Sequence, residues 1–229
     1  GFLSEQGSRD LGAILLRIII PCVIIKSYIT EYSHQRLLEL GLSALLALIS
    51  YVVAMLLSYL VFGQRRRLEN FAAAFCNAGF IGIPLAQAAI GEEGVFYVAA
   101  SVALLNLFQW TYGVYIMTGR KNTISPKAIA RNPVVISIVI GVALFLSRIS
   151  LPGILTSTLG YVADMNTPVA MILMGTYLAR LPARRMLDRR AVGCVLMRLV
   201  VIPAAVGLVF WLMPVDNLPL MTAVFLTAA

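Results

Sequence analysis

Charge is what this chain has least of: Asp, Glu, Lys and Arg make up 12% of its 229 residues, against 60% hydrophobic residues. With a mean hydropathy of +0.91, there is too little polar surface to cover a soluble globule of this size. Histidine occurs once, as His34, in a polar connection beside Glu31 and Tyr32 and with no second ligand-forming residue near it. Cysteine occurs three times, at Cys22, Cys76 and Cys194, without CxxC spacing and inside apolar runs. Small buried hydrophobes are therefore expected, with neither a disulfide nor a metal site. Short alternating strands are lacking, which argues against a β-barrel. The net charge of +8 comes from basic clusters between apolar runs, with no basic face and no aromatic interleaving, so no nucleic-acid partner is expected. An intramembrane enzyme would need a nucleophile and base or a metal set, yet no apolar run holds a histidine and no second acid approaches Asp164. Neither catalysis nor a cofactor is expected.

What is present is a series of long apolar runs. A helix needs about 20 mostly apolar residues to cross the hydrocarbon, and residues 40–62 and 95–118 meet that length without a charge. Apolar runs and charged punctuation together give eight spans: about 11–29, 37–62, 70–90, 95–118, 132–147, 159–179, 191–213 and a last one from about 218 to 229. The fold class expected is all-α integral membrane. Residues 132–147 rise only ~24 Å against a core of ~30 Å, so Arg131 and Arg148 are expected to snorkel from the ends. Residues 150–158, with Pro152 and Gly153, then form an interfacial connection. Gly1 to Asp10 lacks the basic start and apolar core of a signal peptide, and the chain is expected to be a fragment of something longer.

If successive connections alternate sides, Arg9, Arg65–Arg67, Arg120, Lys121, Lys127, Arg131, Arg180, Arg184, Arg185, Arg189 and Arg190 share one side. These are thirteen of the 18 basic residues. The other side holds Arg36 and Arg148, with Lys26 near the end of its span. The Arg-rich side, and with it Gly1, is expected to be cytoplasmic. Pro21 and Pro168 each lie inside a span and begin what reads as a faint internal repeat. On that register residues 75–78 correspond approximately to 225–228, where a second interrupted helix would begin.

The span 70–90 is the least regular. Its middle reads Asn77-Ala-Gly79-Phe-Ile-Gly82-Ile-Pro84, and backbone freed from a helix at membrane depth is tolerated only where protein or a water-filled cavity receives it. The residue pattern predicts a helix that stops near Asn77 and restarts near Pro84, with proline in the first turn where its missing N–H costs nothing. The restart would aim free N–H groups and roughly +0.5 charge into the break, which suits a carboxylate, while the preceding carbonyls suit a cation or water. Asn77 offers both donor and acceptor, and Gly79 and Gly82 leave room for close backbone approach. The alternative is a kinked but continuous packing helix.

The run from Asn77 to Pro84, followed by Gly91, Asn106, Trp110-Thr-Tyr-Gly113, Asn132-Pro133, Thr167-Pro168 through Gly175, and Arg198 with Pro203, resembles the auxin efflux carrier family. The resemblance runs from about Leu11 to the end. It implies ten helices in two inverted five-helix repeats, an inverted-repeat transporter whose fourth and ninth helices are broken and cross near the membrane centre. About seven and a half of them would be present here. It further implies a scaffold made of spans 11–29, 132–147 and 159–179, a transport part made of 37–62, 70–90, 95–118, 191–213 and 218–229, and elevator-like movement between them. A small organic anion such as a mono- or dicarboxylate is the implied substrate and a homodimer the implied assembly; protons are a candidate coupling ion only through Asp164, and the plasma membrane, or bacterial inner membrane, is the expected location. The alternatives are a sodium-coupled carrier like the bile-acid transporters and a non-transporting sensor of the same fold. Asn77, Gly79, Gly82, Pro84, Asn106, Thr167 and Pro168 are the substrate-binding candidates.

Ionisable residues inside spans are costly and default to functional candidates. Arg198, about eight residues into its span, either attracts an anion or pairs domains, or else snorkels. Arg17 is expected to snorkel, and Lys26 either to reach the headgroups or to face the cavity. Asp164 either couples protons or caps a helix start. Asn106, Gln109 and Tyr112, at i, i+3 and i+6, either bond between helices or line a support site. Asn166 and Thr167 before Pro168 either expose carbonyls or mark a kink.

Overall fold

The computed structural model describes residues 4–75, 78–119, 127, 130–181, 188–213, 221–222 and 224–225. Nine helices are defined among them: α1 Glu5–Tyr28, α2 His34–Phe62, α3 Arg67–Ala74, α4 Ile83–Ile90, α5 Glu93–Thr118, α6 Pro133–Ser147, α7 Gly153–Asp164, α8 Asn166–Arg180 and α9 Arg189–Trp211. No strand occurs among the described residues, so the chain is all-α. Four helices, α1, α2, α5 and α9, are long and apolar enough to cross a membrane; α6 is apolar but shorter.

Local sequence accounts for most helix starts. Ser4 accepts a hydrogen bond from the Gly7 amide at 2.9 Å, so α1 begins six residues before the apolar run does. Ser33 does the same for α2 with the Arg36 amide at 3.1 Å. Asn132 accepts from the Val134 amide at 2.9 Å ahead of Pro133, whose fixed φ suits a first helical position. Two boundaries differ from the sequence expectation. The expected span 159–179 divides at Met165 into the end of α7 and the whole of α8. The helix before Asp164 starts at Gly153 rather than near residue 159, so most of the expected interfacial connection is helical. Proline supplies the reason: Pro152 stands as its N-cap and its carbonyl accepts from Leu155 and Thr156.

Prolines inside helices are handled in a repeated way. The turns Leu15–Ile19, Ala78–Gly82 and Met197–Val201 are π-helical, and each ends two residues before a proline, Pro21, Pro84 and Pro203. A proline in an α-helix loses one ladder bond and drives its ring into the carbonyl four residues earlier. Widening the preceding turn moves that carbonyl aside, so the helix continues past the proline. A fourth π turn, Gln109–Gly113 in α5, has no proline after it.

Two aromatic clusters fix the helices around the interrupted span. Tyr28, fully buried at the end of α1, stacks edge-on against Phe96 of α5 at 5.4 Å; Phe96 meets Phe145 of α6 at 5.6 Å, and Phe145 meets Tyr32 at 5.3 Å. Arg148, expected to snorkel, lies over the Tyr32 ring at 4.2 Å. Phe71, Phe75 and Tyr112 form the second cluster, with centroids 5.1 and 6.1 Å apart.

Candidate functional site

The span 70–90 is interrupted. α3 ends at Ala74, Phe75 is extended at φ −117° and ψ 129°, and helical backbone is present again from Ala78. Cys76 and Asn77 lie outside the described residues, so the structure does not place the leading site candidate. It does move the restart. The sequence expectation put it near Pro84; the helix is already wound from Ala78, and Gly82 is helical at φ −64° and ψ −45°. Pro84 is buried on the second turn and is accommodated by the π turn before it. Gly79 and Gly82 therefore belong to wound backbone, and among the described residues only Phe75 leaves the helix.

Both halves are held from the side. Ala73, Ala74, Phe75 and Ala78 are buried. Arg198, in the π turn of α9, directs Nη1 to the carbonyl oxygens of Ala73 at 3.3 Å and Ala74 at 3.5 Å. These are among the last carbonyls of α3, which have no acceptor role within their own helix, and a cation there also meets the negative end of the helix dipole. Four residues earlier in α9, Cys194 directs its thiol to the Glu69 carbonyl at 3.6 Å. On the opposite side Asn70, fully buried, donates from Nδ2 to the Gly63 carbonyl at 3.0 Å and accepts from the Tyr112 hydroxyl at 3.3 Å. The Tyr112 hydroxyl also lies 3.4 Å from the Met55 carbonyl of α2. Gly113 lets α5 approach: a Cβ there would lie 2.7 Å from Cε2 of Phe71 and 3.2 Å from Cε2 of Phe75.

Asn70 is not among the site candidates the sequence offers, standing there only at the edge of the span 70–90. Its signal was an amide seven residues after Gly63, but its partners on α2 and α5 carry no local trace.

The other candidates separate into two places. Asn106 donates from Nδ2 to its own helix at the Val102 carbonyl, 2.8 Å, and accepts from Nδ2 of Asn132 at 3.3 Å. One amide pair thus ties α5 to the start of α6. Gln109 is half-buried at the start of the α5 π turn. Near the far ends of α1 and α7, Lys26 and Asp164 meet, with Nζ 3.2 Å from Oδ1. From the sequence the two have separate expectations, headgroups or the cavity for Lys26 and proton coupling or capping for Asp164; 138 residues apart, they form one ion pair. Lys26 also lines a cavity of about 330 Å³ with Ser27, Thr30, Arg36, Glu93 and Tyr97. Thr167 and Pro168 are exposed, whereas Asn166 is buried with neither polar atom of its amide partnered. Arg17 is exposed, in the π turn of α1.

The Lys26–Asp164 pair is open to solvent, with 29% and 63% of the side chains exposed. An exposed pair of this kind contributes up to about 1 kcal/mol. Asp164→Asn is therefore expected to lower the thermal midpoint of the detergent-solubilised full-length protein by at most a few degrees. The charge reversal Lys26→Asp with Asp164→Lys should recover what either reversal alone loses. A reversal pair no better than its singles would show that the contact contributes nothing.

Comparison with known proteins bears on what such a site serves. Residues 1–129 and 122–229 match the family model described as "Membrane transport protein". An uncharacterized transporter of Methanocaldococcus jannaschii is 23% identical over 193 residues, covering 78% of this chain and 62% of that protein. An uncharacterized transporter of Methanothermobacter thermautotrophicus is 26% identical over 187 residues, covering 76% and 60%. The chain thus spans about three fifths of the length of the curated relatives it matches.

Proposed function

Because the chain belongs to the membrane transport protein family, the auxin efflux carrier-like group, we propose that it forms part of a secondary carrier for a small organic anion. The observation that carries this reading is the interrupted helix, with Phe75 extended between two helical segments whose ends are buried. Broken helices with half-helix ends at midplane are the recurrent substrate and ion sites of secondary transporters. A helix that restarts after such a break leaves its first N–H groups without partners in its own helix, and they favour an anion.

On this reading Asn77, Gly79, Gly82 and Pro84 surround the substrate. Asn106, Thr167 and Pro168 complete the site, and Gln109, Lys26, Asp164 and Arg198 support it. The helices divide into the scaffold and transport parts that the resemblance implies, and the latter moves in an elevator-like cycle. Gly1 faces the cytoplasm, and the assembly is a homodimer in the plasma membrane. Arg198 favours the sodium-independent version, since the α3 carbonyls that could ligate a cation already hold its guanidinium.

Flux of malonate, other dicarboxylates and indole acetate into vesicles holding the full-length protein tests the reading. At least one should be transported, and transport should persist when choline replaces sodium. Asn77→Ala is expected to reduce it by about tenfold or more, the usual cost of losing a hydrogen bond to a charged group. Unchanged flux in that variant would remove Asn77 from the site. Binding without flux by the parent protein would support a sensor instead.

A further inference from the structure

We infer that Arg198 is a resident counter-ion of the broken helix: a positioning residue whose positive charge, rather than its bulk, holds the cytoplasmic half-helix closed at Ala74. The inference extends the carrier reading, but its first test needs no transport.

Three observations carry it. α3 is only eight residues long, so it has few internal bonds to resist unwinding from its end. Its last carbonyls lie among buried residues, Ala73 and Ala74 being fully enclosed, and buried carbonyls without donors are costly. Among the described residues Arg198 is the donor that reaches them, at 3.3 and 3.5 Å, from a helix 125 and 124 residues away in sequence. The π turn Met197–Val201 sets it there, because a residue added to a helical turn rotates the side chains around it relative to an unbroken helix.

The consequence concerns ions. Exposed carbonyls ending a half-helix are where a transporter can coordinate a mobile cation. A tethered guanidinium at that place supplies the charge permanently and cannot be exchanged across the membrane. The protein thereby keeps the dipole of α3 compensated through the transport cycle without binding a cation there.

The experiment uses full-length protein with the native cysteines replaced and Ala74→Cys as a reporter at the buried end of α3. Modification by a maleimide reads how often that end opens. In the Arg198→Met background labelling should rise about tenfold, in keeping with a partly buried helix-end charge. Arg198→Lys, which keeps the charge and loses the planar fork, should stay within a few-fold of the parent. In Arg198→Ala, guanidinium chloride at a concentration well below denaturing should slow labelling, and the same concentration of choline chloride should not. Equal labelling in the Lys and Met variants, or equal effects of the two salts, would overturn the inference by showing that volume alone matters. Flux separates the two claims: normal labelling behaviour with no transport of any probe would leave Arg198 as assigned and remove the carrier reading.

Discussion

Gly141→Ala is expected to destabilise the protein by about 1–3 kcal/mol. A Cβ at Gly141 would collide with Cδ2 of Tyr28 and lie 3.0 Å from its Cγ and 3.2 Å from its Cβ. The neighbour cannot give way cheaply, because the atoms met include the root of the ring and Tyr28 is fully buried against Phe96. Relief would require α6 to move off α1, and with it Phe145, which bridges Phe96 and Tyr32. The measurement is the thermal midpoint of the detergent-solubilised full-length protein, which should fall by about 2–4 °C per kcal/mol for a chain of this size. Gly141→Leu should fall further. Tyr28→Ala is itself costly, but in that background, where the ring is gone, Gly141→Ala should cost much less than it does in the parent. An alanine variant as stable as the parent would mean that α1 and α6 do not approach as closely as described.

The second large effect is expected at Asn70. Asn70→Leu preserves volume but leaves the Gly63 carbonyl and the Tyr112 hydroxyl without that partner, and orphaned buried groups cost about 1–3 kcal/mol. Tyr112→Phe removes only the hydroxyl, so its cost should be smaller. The two should not add, because they share one hydrogen bond. A double-mutant cycle on thermal stability would therefore return a coupling of about 0.5–1.5 kcal/mol. Strict additivity would show that the 3.3 Å contact is not made in solution.

How much of this could be read from the sequence depends on the range of the interaction. The all-α character followed from scarce charge and long apolar runs, because burying backbone in hydrocarbon leaves helices as the economical answer. The interruption of residues 70–90 was legible in Asn77, Gly79, Gly82 and Pro84, but its position was misjudged. Proline in the sequence suggests a helix opening, whereas a π turn lets the helix pass it. Among the described residues that device occurs three times, at Pro21, Pro84 and Pro203, without a local residue signature to announce it. Pairings between distant helices were not legible at all. Arg198 was recognised as a costly intramembrane charge, yet its partners are carbonyls, which every residue carries. Lys26 and Asp164 were each recognised, and only three-dimensional packing joins them.

The π turn in α1 divides that helix into two addresses. On its N-terminal side, Ser8 and the Ser4 carbonyl receive Arg180 of α8 at 2.9 Å, and Gly12 faces Leu173 and Tyr177 of the same helix. On its C-terminal side, Tyr28 seats against Gly141 of α6 and Lys26 reaches Asp164 at the end of α7. One extra residue in a turn swings everything after it by roughly the 100° that a residue occupies in an ideal helix. α1 therefore acts as a two-faced coupling rod: its two lengths serve different neighbours because their numbering is out of phase. Removing any one residue from Leu15–Ile19 would put the two lengths back in phase and point Tyr28 away from Gly141.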